Sequence, residues 1–163
     1  MMGNDKISRY EALLKEIVPL IEGIGNWVGI EANVSAAVKS AFPEFFWVGF
    51  YNVEADNLLL GPFQGEIACY KIKKGRGVCG TSFERDDTIV VPDVDQFAGH
   101  IACSSLSRSE IVVPVHDASG RVIAVLDIDS TSLNAFDATD QHYLEKICIP
   151  VGKAIGLCRT NIN

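Results

Sequence analysis

Residues 110–130 read EIVVPVHDASGRVIAVLDIDS. Two runs rich in β-branched residues, Glu110–His116 and Arg121–Ser130, flank the turn-forming stretch Asp117–Gly120, a pattern that predicts an antiparallel hairpin. Side chains alternate between faces along a strand, so Val125, Asp127 and Asp129 share one side while Leu126 and Ile128 share the other. Glu110 opens the partner strand, and the hairpin carries it back towards Asp127–Asp129. Three carboxylates can therefore converge, following an apolar run that marks a central strand. A solvated strand end is the plain alternative, because acidic side chains are mostly exposed.

Outward from this hairpin the chain punctuates itself clearly. Upstream, Phe45–Tyr51 reads as a strand, Glu54–Asn57 as a turn and Leu58–Phe63 as its hairpin partner, with a third strand over Ile67–Ile72. Lys73–Gly77 reads as a loop into a short helix, Val78 to about Arg85, and Thr88–Val91 as another extended piece. Pro92–Arg108 is polar, aperiodic and long, a kind of ordered loop that usually carries function. The N-terminal half begins with two helices. In the first, Ile7, Tyr10, Leu14, Ile17, Ile21 and Ile24 recur at steps of three and four from Asp5 onward, Ser8 and Glu11 have capping-box spacing, and Pro19 should bend or break it. The second spans Val28–Phe42 and ends at Pro43. A final helix starts from Asp137 as N-cap, carries Leu144, Cys148, Val151, Ile155 and Cys158 as one apolar stripe, and should kink at Pro150. No repeat or linker interrupts the chain, so residues 1–163 are expected to form one α+β domain with short flexible termini at about 1–5 and 159–163.

Composition narrows the function classes. With 21 acidic against 14 basic residues, a net charge of -7 and no basic block, the chain is a poor nucleic-acid partner. Apolar runs such as Ile111–Val115 and Val122–Leu126 fall far short of the roughly 20 residues that cross a bilayer, and the N-terminus lacks a basic-then-apolar leader. A soluble, cytoplasmic protein is expected. Five cysteines make an odd count, so at least one thiol is free.

Those cysteines divide by context. Cys148 and Cys158 lie on the stripe that buries the last helix and act there as small hydrophobes. Cys69, Cys79 and Cys103 have no evident core position. Cys79 follows Lys71, Lys73, Lys74 and Arg76 and begins a helix, two devices that lower a thiol pKa, while Cys103 has His100 and Arg108 nearby. His100 and Cys103, with Cys69 and Cys79, are also candidate zinc ligands, although no C-x-x-C or H-x-x-H pair supports them. Serines are plentiful at 104, 105, 107 and 109, but no G-x-S-x-G elbow occurs, which sets hydrolysis aside. A carboxylate cluster suits a cationic ligand or a general acid. Trp47 and Tyr51 alternate onto one strand face, where they either pack a core or box a small group.

Several stretches together resemble one family. Phe46–Tyr51 (FWVGFY), Gly75–Thr81 (GRGVCGT), Gly99–Cys103 (GHIAC), Ser109–Pro114 (SEIVVP) and Val125–Ser130 (VLDIDS) are similar in order and content to the free methionine-(R)-sulfoxide reductases, which are built on a GAF domain. The resemblance spans about residues 8–158. It implies an α+β, GAF-like fold: a six-stranded antiparallel sheet flanked by helices on both faces. It implies a homodimer packed partly through terminal helices, no metal or other cofactor, and free L-methionine (R)-sulfoxide as substrate. By the same resemblance Cys103 attacks the sulfoxide, Cys69 resolves the product as a disulfide, and Cys79 is an alternative partner or relay. Glu110, Asp127 and Asp129 would hold the substrate's ammonium and assist at its oxygen, and Trp47 and Tyr51 would surround its methyl end. A cysteine sulfenic acid, an intramolecular disulfide and recycling by thioredoxin complete the implied chemistry. The chain departs from the family in carrying Ser104 and Ser105 where an acidic residue usually follows the attacking cysteine.

Two rival readings remain in view at this level. GAF-like domains also serve as small-molecule or redox sensors without turnover, although this lone domain has no output segment and three thiols off the core stripe. A metal-stabilised structural protein is the other, and it requires bound zinc.

Overall fold

The structure is a computed structural model that describes residues 2–161. Helices run over Met2–Ile21 (α1), Trp27–Ala41 (α2), Gly77–Arg85 (α3) and Ala138–Thr160 (α4). Strands run over Trp47–Glu54 (β1), Asn57–Gln64 (β2), Lys71–Lys73 (β3), Ile89–Val91 (β4), Ser109–His116 (β5) and Val122–Ser130 (β6). They form a six-stranded sheet in the order β3-β2-β1-β6-β5-β4, antiparallel at every junction. The architecture is the expected α+β one, with helices on both faces.

Alternation along the three central strands builds two different layers. Val48 and Phe50 of β1, Ile111, Val113 and Val115 of β5, and Ala124, Leu126 and Ile128 of β6 face α1, α2 and α4 and form the main core. Trp47, Tyr51, Val112 and Val125 point to the other side, where Val78 and Cys79 of α3 and Ile72 of β3 meet them. Cys148 and Cys158 are buried in the main core beside Leu144, Val151 and Ile155, as the stripe predicts.

Polar side chains staple the helix ends. Asp137 caps α4 by accepting from the N–H groups of Thr139 and Asp140, and Asp140 accepts from the Asp137 N–H in return. Fully buried Asp140 also receives Tyr10 Oη at 2.7 Å and Lys6 Nζ at 2.8 Å, which ties α1 to the start of α4. At the other end of α4, Arg159 donates to Asn52 and stands 3.8 Å from Glu31, a wholly buried residue of α2. Burial pushes the Glu31 carboxyl up to about 7, although Asn52 and Arg159 pull it down.

Three local expectations change. Ser8 and Glu11 sit inside α1, which begins by Met2, so their spacing marks no helix start. Pro19 falls in the last turn, and α1 ends at Ile21 without a break at the proline. The strand expected over Ile67–Ile72 shrinks to Lys71–Lys73, because residues 65–70 form an irregular loop. α4 continues through Pro150, whose missing N–H leaves the Lys146 carbonyl without its helical donor. Of the expected loose ends, residues 1, 162 and 163 lie outside the described residues, while 2–5 and 159–160 are helical. Among the described residues, no helix is long and apolar enough to cross a membrane.

α4 crosses β5 at Gly152, where an added Cβ would run into the His116 carbonyl. Backbone cannot swing aside as a side chain can, so Gly152→Ala should destabilise the chain by about 1–3 kcal/mol. Denaturant unfolding with an unchanged m-value checks this.

Candidate active site

The face of the sheet opposite α4 carries the reactive residues, and strand register places them. Glu110 lies opposite Asp129 across the β5–β6 ladder, and Val112 lies opposite Asp127. Trp47 faces Asp129 and Gly49 faces Asp127 across the β1–β6 ladder. Asp127, Asp129 and Glu110 therefore share one patch, and α3 lowers Cys79 onto it. One candidate ligand atom from each of Cys79, Glu110 and Asp127 lies within 4.8 Å of the others. The Cys79 thiol points at Glu110 Oε1 from 3.9 Å, and His100 Nε2 stands 3.8 Å from Glu110 Oε2.

Burial dominates the electrostatics. It pushes the Glu110 carboxyl well up, and the nearby Asp127 and Asp129 charges push it further. Asp129 rises for the same two reasons, while a hydrogen bond with Ser107 pulls it back. Asp127 rises to about 6 because of burial, while hydrogen bonding with Glu110 and Cys79 pulls it back. Asp127 Oδ1 is buried without a partner, an acceptor aimed into the site.

Cys79 contradicts one sequence-level expectation. Its helix start and the upstream basic residues suggested an activated thiolate. Instead the side chain is 3% exposed, faces three carboxyls, and is pushed well above an ordinary thiol by burial and their charge. Lys71, Lys73, Lys74 and Arg76 are absent from the residues that line the cavity.

Cys69 and Cys103 are joined as a disulfide, with Cα atoms 5.5 Å apart. The bond links the 65–70 loop to the long loop before β5 and roofs the site. It also prevents the four residues considered for zinc from acting as one ligand set. Beneath it lies a cavity of about 40 Å³, room for a few waters at most. Its lining includes Trp47, Tyr51, Cys79, His100, Cys103 and the three carboxyl residues.

The rings do more than line this space. Trp47 stacks on Phe63 with centroids 5.0 Å apart, and its indole N–H donates to the Glu66 carbonyl at 3.0 Å. Tyr51 donates its hydroxyl to the Cys69 carbonyl at 3.1 Å. Gly49 leaves room for the Trp47 ring, since an added Cβ would strike both that ring and Phe63. The contacts of Ser107 with Asp129 and of Tyr51 with the Cys69 backbone carry no sequence signal, because each joins segments far apart in the chain.

The chain is similar to known proteins over most of its length. The family described as GAF domain matches residues 31–155. GAF domain-containing protein A of Dictyostelium discoideum is 54% identical over 143 residues, covering 87% of this chain and 89% of that protein. Free methionine-R-sulfoxide reductase of Saccharomyces cerevisiae is 41% identical over 151 residues, covering 88% and 84%. The X-ray structure of free methionine-R-sulfoxide reductase from Neisseria meningitidis in complex with its substrate superposes with a TM-score of 0.90 at 44% identity, covering 97% of this chain and 94% of that one. The chain belongs to the free methionine-R-sulfoxide reductase family of GAF domains. Within that family's fold, the carboxyl patch, both rings and the disulfide all meet at a single cavity.

The raised carboxyls have a consequence for stability. Asp127 titrates at about 6 in the folded chain against an ordinary 3.8, so the folded state binds this proton more tightly. Its contribution is full below about pH 4 and is lost as pH rises through about 6. Asp127→Asn should therefore be more stable than the parent at pH 7.5 by about 1–3 kcal/mol, with the gain vanishing below about pH 4. Thermal unfolding of both proteins across that range tests it.

Proposed function

We propose that this chain reduces free L-methionine (R)-sulfoxide to L-methionine, using Cys103 as the attacking thiol. The observation that carries the reading is that Cys103, disulfide-bonded to Cys69, lines the same cavity as buried Glu110 and Asp127 and half-buried Asp129. The Cys103 thiolate attacks the sulfoxide sulfur, a carboxylic acid gives its proton to the oxygen, and the oxygen leaves on Cys103 as a sulfenic acid with methionine as product. Cys69 then attacks that sulfenic sulfur, releasing water and forming the disulfide seen here. A dithiol reductant of the thioredoxin type restores both thiols and completes a two-electron cycle.

The electrostatics support these roles. Glu110 and Asp129, both pushed up by burial, remain available as acids near neutral pH. Asp127, the more acidic of the three with an unpartnered Oδ1, suits the substrate's ammonium. Trp47 and Tyr51 enclose the methyl end. Cys79 is held too basic to compete as nucleophile, which leaves it a supporting or relay role. The small cavity under the closed disulfide implies that substrate enters when Cys69 and Cys103 are apart.

Assay of the pure protein with separated epimers and dithiothreitol tests this directly. Methionine should form from the (R) epimer alone. Cys103→Ser should lose turnover, whereas Cys69→Ser should accumulate a dimedone-reactive sulfenic acid after a single turnover. Absence of product from the (R) epimer, or full activity in Cys103→Ser, overturns the assignment.

Thioredoxin recycling places the chain in a reducing cytoplasm. A homodimer fits the apolar groove that Val18 and Ile24 form with Pro150, Ala154 and Leu157 along α1 and α4. Leu157 is 62% exposed there, and Leu157→Asp should shift sedimentation from dimer to monomer with the site intact.

A further inference from the structure

Exposed large apolar side chains flank both disulfide cysteines along the chain, and two of them, Ile67 and Ile101, also line the cavity. Ile67 and Tyr70, on either side of Cys69, are 89% and 84% exposed, and Ile101 and Leu106, flanking Cys103, are 36% and 51% exposed. Each lies within three residues of a disulfide cysteine, so the chain between them spans no more than about 11 Å. Burying such residues is the rule for a soluble chain, and a cluster left open around a reactive bond marks a surface meant to be covered. Cys69 and Cys103 themselves are half-buried, with these four exposed side chains as an apolar collar on the two segments they join.

Charge sets this collar apart from the rest of the molecule. Segments 65–77 and 99–108 hold five basic residues, Lys71, Lys73, Lys74, Arg76 and Arg108, against Glu66 as their one acid, on a chain of net charge -7. Lys71 follows Tyr70 directly and is exposed. The rim therefore attracts an acidic partner that most of this protein's surface would repel.

We propose that this collar is the docking surface for an acidic dithiol protein of the thioredoxin class, with Tyr70 and Leu106 as apolar contacts and Lys71 as a steering charge. The inference rests on the reductase reading above. The partner's thiolate attacks Cys69, whose flanks are the more exposed, forms a mixed disulfide there and expels Cys103 as a thiolate. The partner's second thiol then attacks its own mixed-disulfide sulfur, releasing Cys69, so the partner is oxidised by two electrons and both cysteines are reduced. A small thiol needs none of these contacts, and this difference makes the surface testable.

Turnover of methionine (R)-sulfoxide is measured with thioredoxin, thioredoxin reductase and NADPH, and separately with dithiothreitol, for the parent and for Tyr70→Ser, Leu106→Ser and Lys71→Glu. The variants should lower kcat/KM for thioredoxin by about tenfold, the loss of one or two interface contacts, while dithiothreitol-driven rates stay within about twofold. The thioredoxin-driven rate of the parent should also fall as salt rises from low ionic strength, because steering is screened over about 10 Å at 0.1 M. A thioredoxin lacking its second cysteine should be trapped on Cys69 by peptide mapping. Unchanged thioredoxin kinetics in all three variants, or an equal loss with both reductants, overturns the docking surface. A change of oligomeric state in Tyr70→Ser would assign the collar to a second copy of this chain and overturn it as well. A parent inactive even with dithiothreitol would instead remove the reductase reading itself.

Discussion

Three carboxyl groups occupy one buried patch of sheet, and no bulk water screens them. Taking each such ion out of water costs several kcal/mol, and mutual repulsion adds to that cost. The register leaves them no choice of distance, since Glu110 faces Asp129 across the ladder and Asp127 projects beside them from β6. The chain resolves the conflict by keeping protons there at pH values where isolated carboxyls have none. Everything around the patch follows from this condition. Apolar walls from Trp47, Tyr51 and Val78 maintain it, and a salt-bridging Arg or Lys would abolish it.

A roof is needed to keep that environment dry, and it is built from irregular backbone. The 65–70 loop and the segment before β5 gain little from the ladders, so side chains rising from the floor hold them. Trp47 and Tyr51 each donate one hydrogen bond to a roof carbonyl, and such a bond contributes about 1 kcal/mol net. A covalent link between Cys69 and Cys103 is far stronger than those ties. With the disulfide formed the roof is covalently closed, and without it these segments would keep those two hydrogen bonds. On the proposed chemistry, the bond formed after each turnover also shuts the emptied site until a reductant arrives.

Period-two alternation made the floor of this site legible in the amino-acid sequence. Once residues 110–130 read as a hairpin, Asp127, Asp129 and Glu110 had to share a face, and the structure places them there. The bounds expected for β2, β5 and β6 lie within one residue of those observed, while β1 starts two residues later and runs three residues further than its expected Phe45–Tyr51. What stayed hidden depends on contacts between remote segments. Ile67–Ile72 has the apolar character of a strand, yet Trp47 claims the Glu66 carbonyl and Tyr51 the Cys69 carbonyl, and pairing with β2 starts at the Tyr70 carbonyl, which accepts from the Leu60 N–H. Cys79 has a basic neighbourhood in sequence and an acidic one in space, because α3 turns it inward while the lysines face outward. Glu31 reads as the polar face of a packing helix, and its burial with Asn52 and Arg159 becomes visible only when three elements are assembled.

The division among the cysteines has an electrostatic logic that reaches beyond this cavity. A nucleophilic sulfur must carry negative charge, and a protonating acid must not, so the two cannot share one environment. Placing the thiolate on the floor would set it against Asp127 and Glu110, the fate that keeps Cys79 protonated. On the proposed chemistry, substrate would lie between Cys103 on the roof and those carboxyls. Sulfoxide sulfur and oxygen are bonded neighbours, so attack from the roof at one and proton delivery from the floor at the other would meet across a single S–O bond. On that reading one role falls to a loop and the other to strands, and the lining carries His100 but neither Lys nor Arg.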